Sequence, residues 1–241
     1  MISFKGRHFP KDIILRCVRW YIAYSLSYRD IEEMLAERGI SADHATLNRW
    51  VIGYAPKLED QFRKSYKKCV GTSWRMDETY IKVQGKWTYL YRAVDKEGKT
   101  IDFMLSKNRD TEAARSFFAK AIGSNGLPEK VTIDKSGANT AGLIAINLQL
   151  TLFAAILLSL FTCNEALKLQ IDVRQIKYLN NIVEQDHRGI KRITKPMMGF
   201  KAFHSAEATL SGIELHRMLR KNQHVDSDKL NIFQQFYALA D

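Results

Sequence analysis

Cysteine is scarce in this chain: Cys17, Cys69 and Cys163 are three among 241 residues, and no two of them stand at CxxC spacing. That excludes a disulfide framework and a cysteine-built zinc site. Proline is limited to Pro10, Pro56, Pro128 and Pro196, so there is no Pro-rich linker, and neither a low-complexity tract nor an internal repeat is visible. The first residues place Lys5, Arg7 and Asp12 among short apolar runs. They lack the apolar core of a signal peptide, and the expected setting is reducing and cytoplasmic. Charge is missing altogether from Ser136 to Asn164. Within that stretch Leu150–Cys163 is nearly all apolar, yet it falls short of the ~20 residues that a spanning helix needs. Leu143–Cys163 is therefore expected to be buried protein interior, a helix or helix–strand unit, and not a membrane span.

What is present is positive charge. The formal net charge is +11 and the pI about 9.5, a balance that points to a polyanionic partner, nucleic acid or an anionic membrane surface. The apolar fraction of 46% is ordinary for a globular protein and excludes disorder. Residues 1–70 carry 13 Lys and Arg against 8 Asp and Glu. Between His187 and Phe203 there is no acid at all, while Arg188, Lys191, Arg192, Lys195 and Lys201 crowd together.

Three helices are expected over residues 11–60. Pro10 suits the start of the first, Lys11 to about Tyr24. Ser27 and Asp30 have capping-box spacing for a second helix, which Gly39 stops. Ser41 or Asp43 caps a third, His44 to about Gly53. Two short helices joined at a glycine, the second carrying His44, Thr46, Asn48 and Arg49, form a helix-turn-helix pattern. Residues 61–72 read as a connector. The hydrophobic period then switches to two: strands at 74–83, 87–94 and 100–105, a helix at 111–122, and a short buried strand at 130–134. The uncharged unit follows, then a strand at 172–178, a helix carrying Glu184 and a last amphipathic helix at 203–221. Strand-strand-strand-helix-strand-helix-strand-helix is the order of an α/β ribonuclease H-like sheet over residues 73–222, preceded by a small all-α domain and followed by a tail at 223–241.

Three acids stand out. Asp77 lies within a strand, where a carboxylate is costly unless a cation answers it; adjacent Glu78 belongs to the opposite face. Asp134 ends a second strand. Glu184 falls in the first turn of a helix that Asn180 or Asn181 is placed to cap, with Arg188, Lys191 and Arg192 one and two turns on. Acids on two strands and a helix can converge as hard oxygen ligands for Mg²⁺, and two such ions can drive in-line phosphoryl transfer. The plain alternatives are a solvent-facing strand position for Asp77, a turn residue for Asp134, and a routine Glu184–Arg188 pair on a solvated helix.

Several blocks carry a resemblance: Trp74-Arg75-Met76-Asp77-Glu78-Thr79-Tyr80, Thr132-Ile133-Asp134-Lys135, Lys177 to Arg188, and Lys195 to Lys201. With Ser27 to Glu32 and Ala45 to Trp50, these are similar to the IS6 (IS26-like) family of bacterial insertion-sequence transposases over nearly the whole chain. The resemblance implies a DDE transposase with a retroviral-integrase-like catalytic core. It implies Asp77, Asp134 and Glu184 as catalytic, metal-binding residues using Mg²⁺ or Mn²⁺. It implies double-stranded DNA as partner, at the element's terminal inverted repeats and at target DNA. A homo-oligomer on DNA and a place at the bacterial nucleoid, with no membrane, are expected with it. His44, Thr46, Asn48 and Arg49 are the expected DNA readers of the helix-turn-helix; Arg188, Lys191, Arg192 and Lys195 are expected along the backbone. One departure is visible, since 50 positions separate Asp134 from Glu184 where the family's spacing is in the mid-thirties. The rival from outside the enzymes is a helix-turn-helix regulator with a sensing domain, or an inactive relic in which Glu184 never reaches the two aspartates. A membrane-associated protein built on Leu150–Cys163 is a third.

Overall fold

The computed structural model of the chain describes residues 2–6, 8–161 and 170–241. Cys163, at the end of the uncharged stretch, lies outside the described residues. Three helices open the chain: α1 (Lys11–Ala23), α2 (Tyr28–Ala36) and α3 (His44–Gln61). The Ser27 hydroxyl accepts from the Asp30 amide and the Asp30 carboxylate accepts from Ser27, so the predicted capping box closes. Gly39 sits at φ +70°, the left-handed conformation that lets the chain turn between α2 and α3. Asp43 caps α3 by accepting from the Thr46 amide at 2.7 Å.

α3 does not stop near Gly53. It continues through Pro56 to Gln61 and widens into a π-turn over Phe62–Tyr66. A proline inside a helix removes one backbone bond. Burial of Tyr54, Ala55, Leu58 and Phe62 on the continuing face offsets that loss, so helix runs on into the first half of the expected connector, where Phe62 joins the core.

The sheet follows: β1 (Ser73–Val83), β2 (Lys86–Asp95), β3 (Thr100–Ser106), then α4 (Thr111–Asn125), β4 (Lys130–Ile133) and α5 (Gly137–Phe161). After the described chain resumes come β5 (Asp172–Gln175), a 3₁₀ turn at Lys177–Asn180, α6 (Asn181–Thr194), α7 (Phe203–Arg220) and α8 (Ile232–Ala238). The strand order is β3-β2-β1-β4-β5, with β2–β3 antiparallel and β1–β4 and β4–β5 parallel. This is the mixed ribonuclease H-like α/β sheet that the element order predicted. Trp74, Met76, Tyr91, Val131 and Ile133 on the strands pack with Phe117 and Phe118 of α4 and with Leu143 and Ile146 of α5.

The chain forms two compact units. One comprises residues 1–69, 82–86 and 188–241; the other comprises 70–81 and 87–187. In the helical unit α1, α3 and α7 pack together. Gly212 of α7 approaches so closely that a Cβ there would stand 2.7 Å from Ile22 and 3.0 Å from Ala55. The expected 73–222 segment contributes to both units.

The uncharged segment departs from expectation. α5 is 25 residues long, about 37 Å at 1.5 Å per residue, so shortness does not distinguish it from a membrane span. It is also not interior throughout. Leu143, Ile146 and Ala154 are buried, but Ile144, Leu148, Leu152 and Phe153 are 55–71% exposed. Of the Gly137–Ile156 stretch, 28% is buried in the protein. A helix with no polar face that packs on one side leaves apolar residues on the other.

Candidate active site

β1 and β4 run parallel with Arg75 opposite Thr132. Two residues further on, Asp77 and Asp134 stand level, and neighbouring strands ~4.8 Å apart bring such side chains together. The buried face of β1 switches at this point: Trp74 and Met76 are buried before it, Thr79, Ile81 and Val83 after it. Glu78, at the switch, joins the two aspartates, and carboxylate oxygens of Asp77, Glu78 and Asp134 all lie within 4.8 Å of one another. The opposite-face expectation missed Glu78, because alternation alone does not say where a strand changes the face it covers.

Three carboxylates so close repel one another by a few kcal/mol per pair at an effective dielectric near 20. The Arg109 guanidinium, just before α4, answers two of them, with Nε 3.2 Å from Glu78 Oε1 and Nη2 3.5 Å from Asp134 Oδ2. Burial nevertheless pushes the Glu78 carboxyl above its usual range, while its hydrogen bond raises Arg109. The Glu78 side chain is only 4% exposed, and its Oε2 has no hydrogen-bond partner. Asn139, fully buried at the start of α5, donates to Asp134 Oδ1 at 3.4 Å. The donor set fits a hard divalent cation: three carboxylates against one guanidinium, with a buried oxygen left unanswered.

Asp77 has a second neighbour. His187 Nε2 lies 3.2 Å from Asp77 Oδ2, and His187 Nδ1 lies 3.4 Å from Nη1 of the fully buried Arg92. A guanidinium only donates, so Nδ1 accepts and the proton sits on Nε2, aimed at Asp77. Arg92 also binds Asp186 at 2.6 Å. Glu78, Arg109, Asn139, Arg92 and Asp186 were absent from the sequence-derived site; a buried arginine in an aromatic strand was the one available signal.

Glu184 is exposed in the first turn of α6 and does not join the carboxylate group. It stands three residues before His187, the spacing of helical neighbours. The long interval after Asp134 does not carry the chain away. β5 pairs with β4 from Lys130–Asp172 to Ile133–Gln175. Asn180 then donates to the Met76 carbonyl at 3.3 Å, one residue from Asp77. Asn180 is thus turned to β1 and its Oδ1 has no partner, contrary to the expected cap.

In the helical unit, His44 and Arg49 are exposed on α3 and Thr46 and Asn48 half-buried. His44 Nδ1 is 3.3 Å from Glu32, and Arg49 donates to the Thr46 hydroxyl at 2.7 Å. Arg188, Lys191, Arg192 and Lys195 are all exposed.

Residues 71–223 match a family model described as a DDE domain. The chain is 40% identical over 226 residues to the transposase for insertion sequence-like element IS431mec of Staphylococcus aureus strain N315, covering 92% of this chain and 91% of that protein. The same identity and coverage hold for the transposase of insertion sequence element IS257 in transposon Tn4003 of Staphylococcus aureus. The HTLV-2 integrase catalytic core is 15% identical over 72% of this chain and 85% of its own, at a TM-score of 0.36, too distant to carry residue correspondences.

Proposed function

The chain belongs to the IS6 (IS26-like) family of insertion-sequence DDE transposases, and from that premise we propose that Asp77, Asp134 and Glu184 hold Mg²⁺ or Mn²⁺ for cleavage and strand transfer at the element's terminal inverted repeats. The observation that carries this reading is the Asp77–Glu78–Asp134 group, excess negative charge gathered on adjacent strands. A bound cation there supplies Lewis-acid activation of water or of a 3′-hydroxyl for in-line attack on a phosphodiester. His187 fixes the Asp77 carboxylate through its Nε2–H, and Asn139 and Arg109 orient Asp134. Glu184 is the family's third acid and lies one turn from His187; Glu78 is its rival, already in the group. His44, Thr46, Asn48 and Arg49 read the repeat ends, with residues 1–60 as the reading region. Arg188, Lys191, Arg192 and Lys195 hold the backbones of element and target DNA. The working form is a homo-oligomer on DNA at the nucleoid.

The test is Mn²⁺ titration by calorimetry together with strand transfer on the element's own ends. Asp77→Asn, Asp134→Asn and Glu184→Gln should each abolish joining while end binding persists, since each keeps shape and removes a ligand charge. Wild-type joining by either Asn variant ends the metal reading. If Glu184→Gln joins normally and Glu78→Gln loses both Mn²⁺ and joining, Glu78 is the third ligand.

A further inference from the structure

On β1 and β2 a row of aromatic rings leaves the core and comes into the open. Gln84 and Gly85 have φ of +50° and +77°, the two-residue turn that fixes a hairpin's register. Counting back from Val83 and Lys86, Tyr80 stands opposite Tyr89 and Glu78 opposite Tyr91. The rings agree with that register. The centroids of Tyr80 and Tyr89 lie 5.4 Å apart, and those of Tyr80 and Trp87, on the diagonal, 6.3 Å apart at 76°. Along β2 the side chains of Trp87, Tyr89 and Tyr91 share one face. Tyr91 is buried against Phe117, Tyr89 is half-buried, and Trp87 is 63% exposed. Tyr80, beside them, is 49% exposed.

Two features tie this aromatic group to the carboxylates. Tyr80 follows Glu78 by two residues on the same side of β1, about 7 Å along the strand. The Arg109 guanidinium that bridges Glu78 and Asp134 also lies within electrostatic reach of the Tyr80 hydroxyl. The switch in the buried face of β1 is what opens the group to solvent. Beyond Glu78 the covered side carries Thr79, Ile81 and Val83, and the Tyr80 side lies open. A lone exposed ring carries no message. Three rings joined through Tyr80 at the edge of a charged site present a flat apolar face, the mark of an interaction surface.

We propose that Tyr80, Trp87 and Tyr89 form a stacking platform for an unpaired base of the DNA strand whose scissile phosphate lies at the carboxylates. The proposal rests on the reading of Asp77 and Asp134 as the metal site. A paired base has both faces covered by its neighbours in the duplex and offers nothing to a ring. An unpaired base exposes a π-face that stacks on an aromatic side chain whatever the sequence. Successive nucleotides of a strand rise about 3.4 Å. The step of about 7 Å from Glu78 to Tyr80 therefore sets the stacked base within about two nucleotides of the phosphate under attack. The platform holds an opened end still for in-line attack, and its contribution depends on bases and not on charge.

Full-length protein is titrated by fluorescence anisotropy, in EDTA so that no strand is cut, against four duplexes of the element's end. One is fully paired, one is mismatched beside the cleavage point, one is abasic at those same positions, and one is mismatched about one helical turn away. The mismatched end should bind about tenfold tighter than the paired one. The abasic end should lose most of that gain, and the distant mismatch should show none. Trp87→Leu, which keeps an apolar side chain without an aromatic face, should abolish the preference, and Trp87→Phe should keep most of it. Both variants should bind paired ends and Mn²⁺ as the wild type does. Stacking should also quench Trp87, the most exposed tryptophan, on mismatched ends and not on abasic ones. Equal affinity of the wild type for mismatched and abasic ends overturns the proposal. So does a preference that survives Trp87→Leu or that the distant mismatch matches. Calorimetric Mn²⁺ titration tests the metal reading separately. Wild-type protein that binds Mn²⁺ without any preference has a metal site and no platform, whereas a preference without Mn²⁺ binding upholds the platform and overturns the metal site.

Discussion

Arg92 has no contact with solvent, and it holds both Asp186 and His187. Removing one partner of a buried ion pair strands the other's charge, at a cost of about 3–5 kcal/mol. Arg92→Leu should therefore destabilise the protein by that amount in urea melts, and Arg92→Leu with Asp186→Leu should recover much of it. A double variant as unstable as the single one would show that the pair is not the cause. His216 gives a second prediction. Its pKa lies below the ordinary 6.5, at about 4, chiefly through burial. Unfolded chains take up a proton below pH 6.5 that the folded protein refuses until about pH 4. The folded state's advantage is thus whole above pH 6.5 and is lost as pH falls to 4, by roughly 3 kcal/mol. His216→Phe should flatten that acid limb, and an unchanged pH dependence of stability would exclude His216 as its source. Asp77 and Asp134 were legible because an acid in or ending a strand is conspicuous. Glu78 and Arg109 were not, since their meeting depends on where β1 changes its buried face and how the loop before α4 returns, which periodicity does not encode.

Elements were legible where capping chemistry and period agreed. Ser27, Asp43 and Gly39 set the ends of α2 and α3 as their side chains or φ require. α3 overran its predicted end because tertiary burial outweighs a proline, and α5 was half misread because composition shows that a helix is apolar but not which side is covered. Burial separates two truncations on α5. Leu143, fully buried, should cost about 2–5 kcal/mol as Leu143→Ala, whereas Leu148, 71% exposed, should cost well under 1 as Leu148→Ala. Equal losses in thermal melts would mean that the outer face is covered in solution. α7 yields a prediction of its own. Because it packs on α1 and α3, an isolated 1–60 fragment should show little helix by circular dichroism and bind element ends far more weakly than the full chain. Full-strength binding by that fragment would make the first three helices self-sufficient.

At the scale of the whole molecule, a charge of +11 makes DNA affinity depend on salt. Each lost phosphate contact should flatten the slope of log affinity against log salt by about 0.9. Neutralising Arg188, Lys191 and Arg192 together should therefore lower the slope by up to ~3, and an unchanged slope would leave those residues without a part in binding. The helical unit is also discontinuous in sequence, drawn from residues 1–69, 82–86 and 188–241. On the ribosome its first three helices emerge well before α7 exists; at about 5–20 residues per second the interval is on the order of ten seconds. Throughout it the faces of Ile22 and Ala55 that receive Gly212 have nothing to close on. The helix proposed to read the repeats therefore gains its support only when synthesis is nearly done, and on that proposal a message broken within the catalytic segment is expected to yield a product unable to occupy the element's ends.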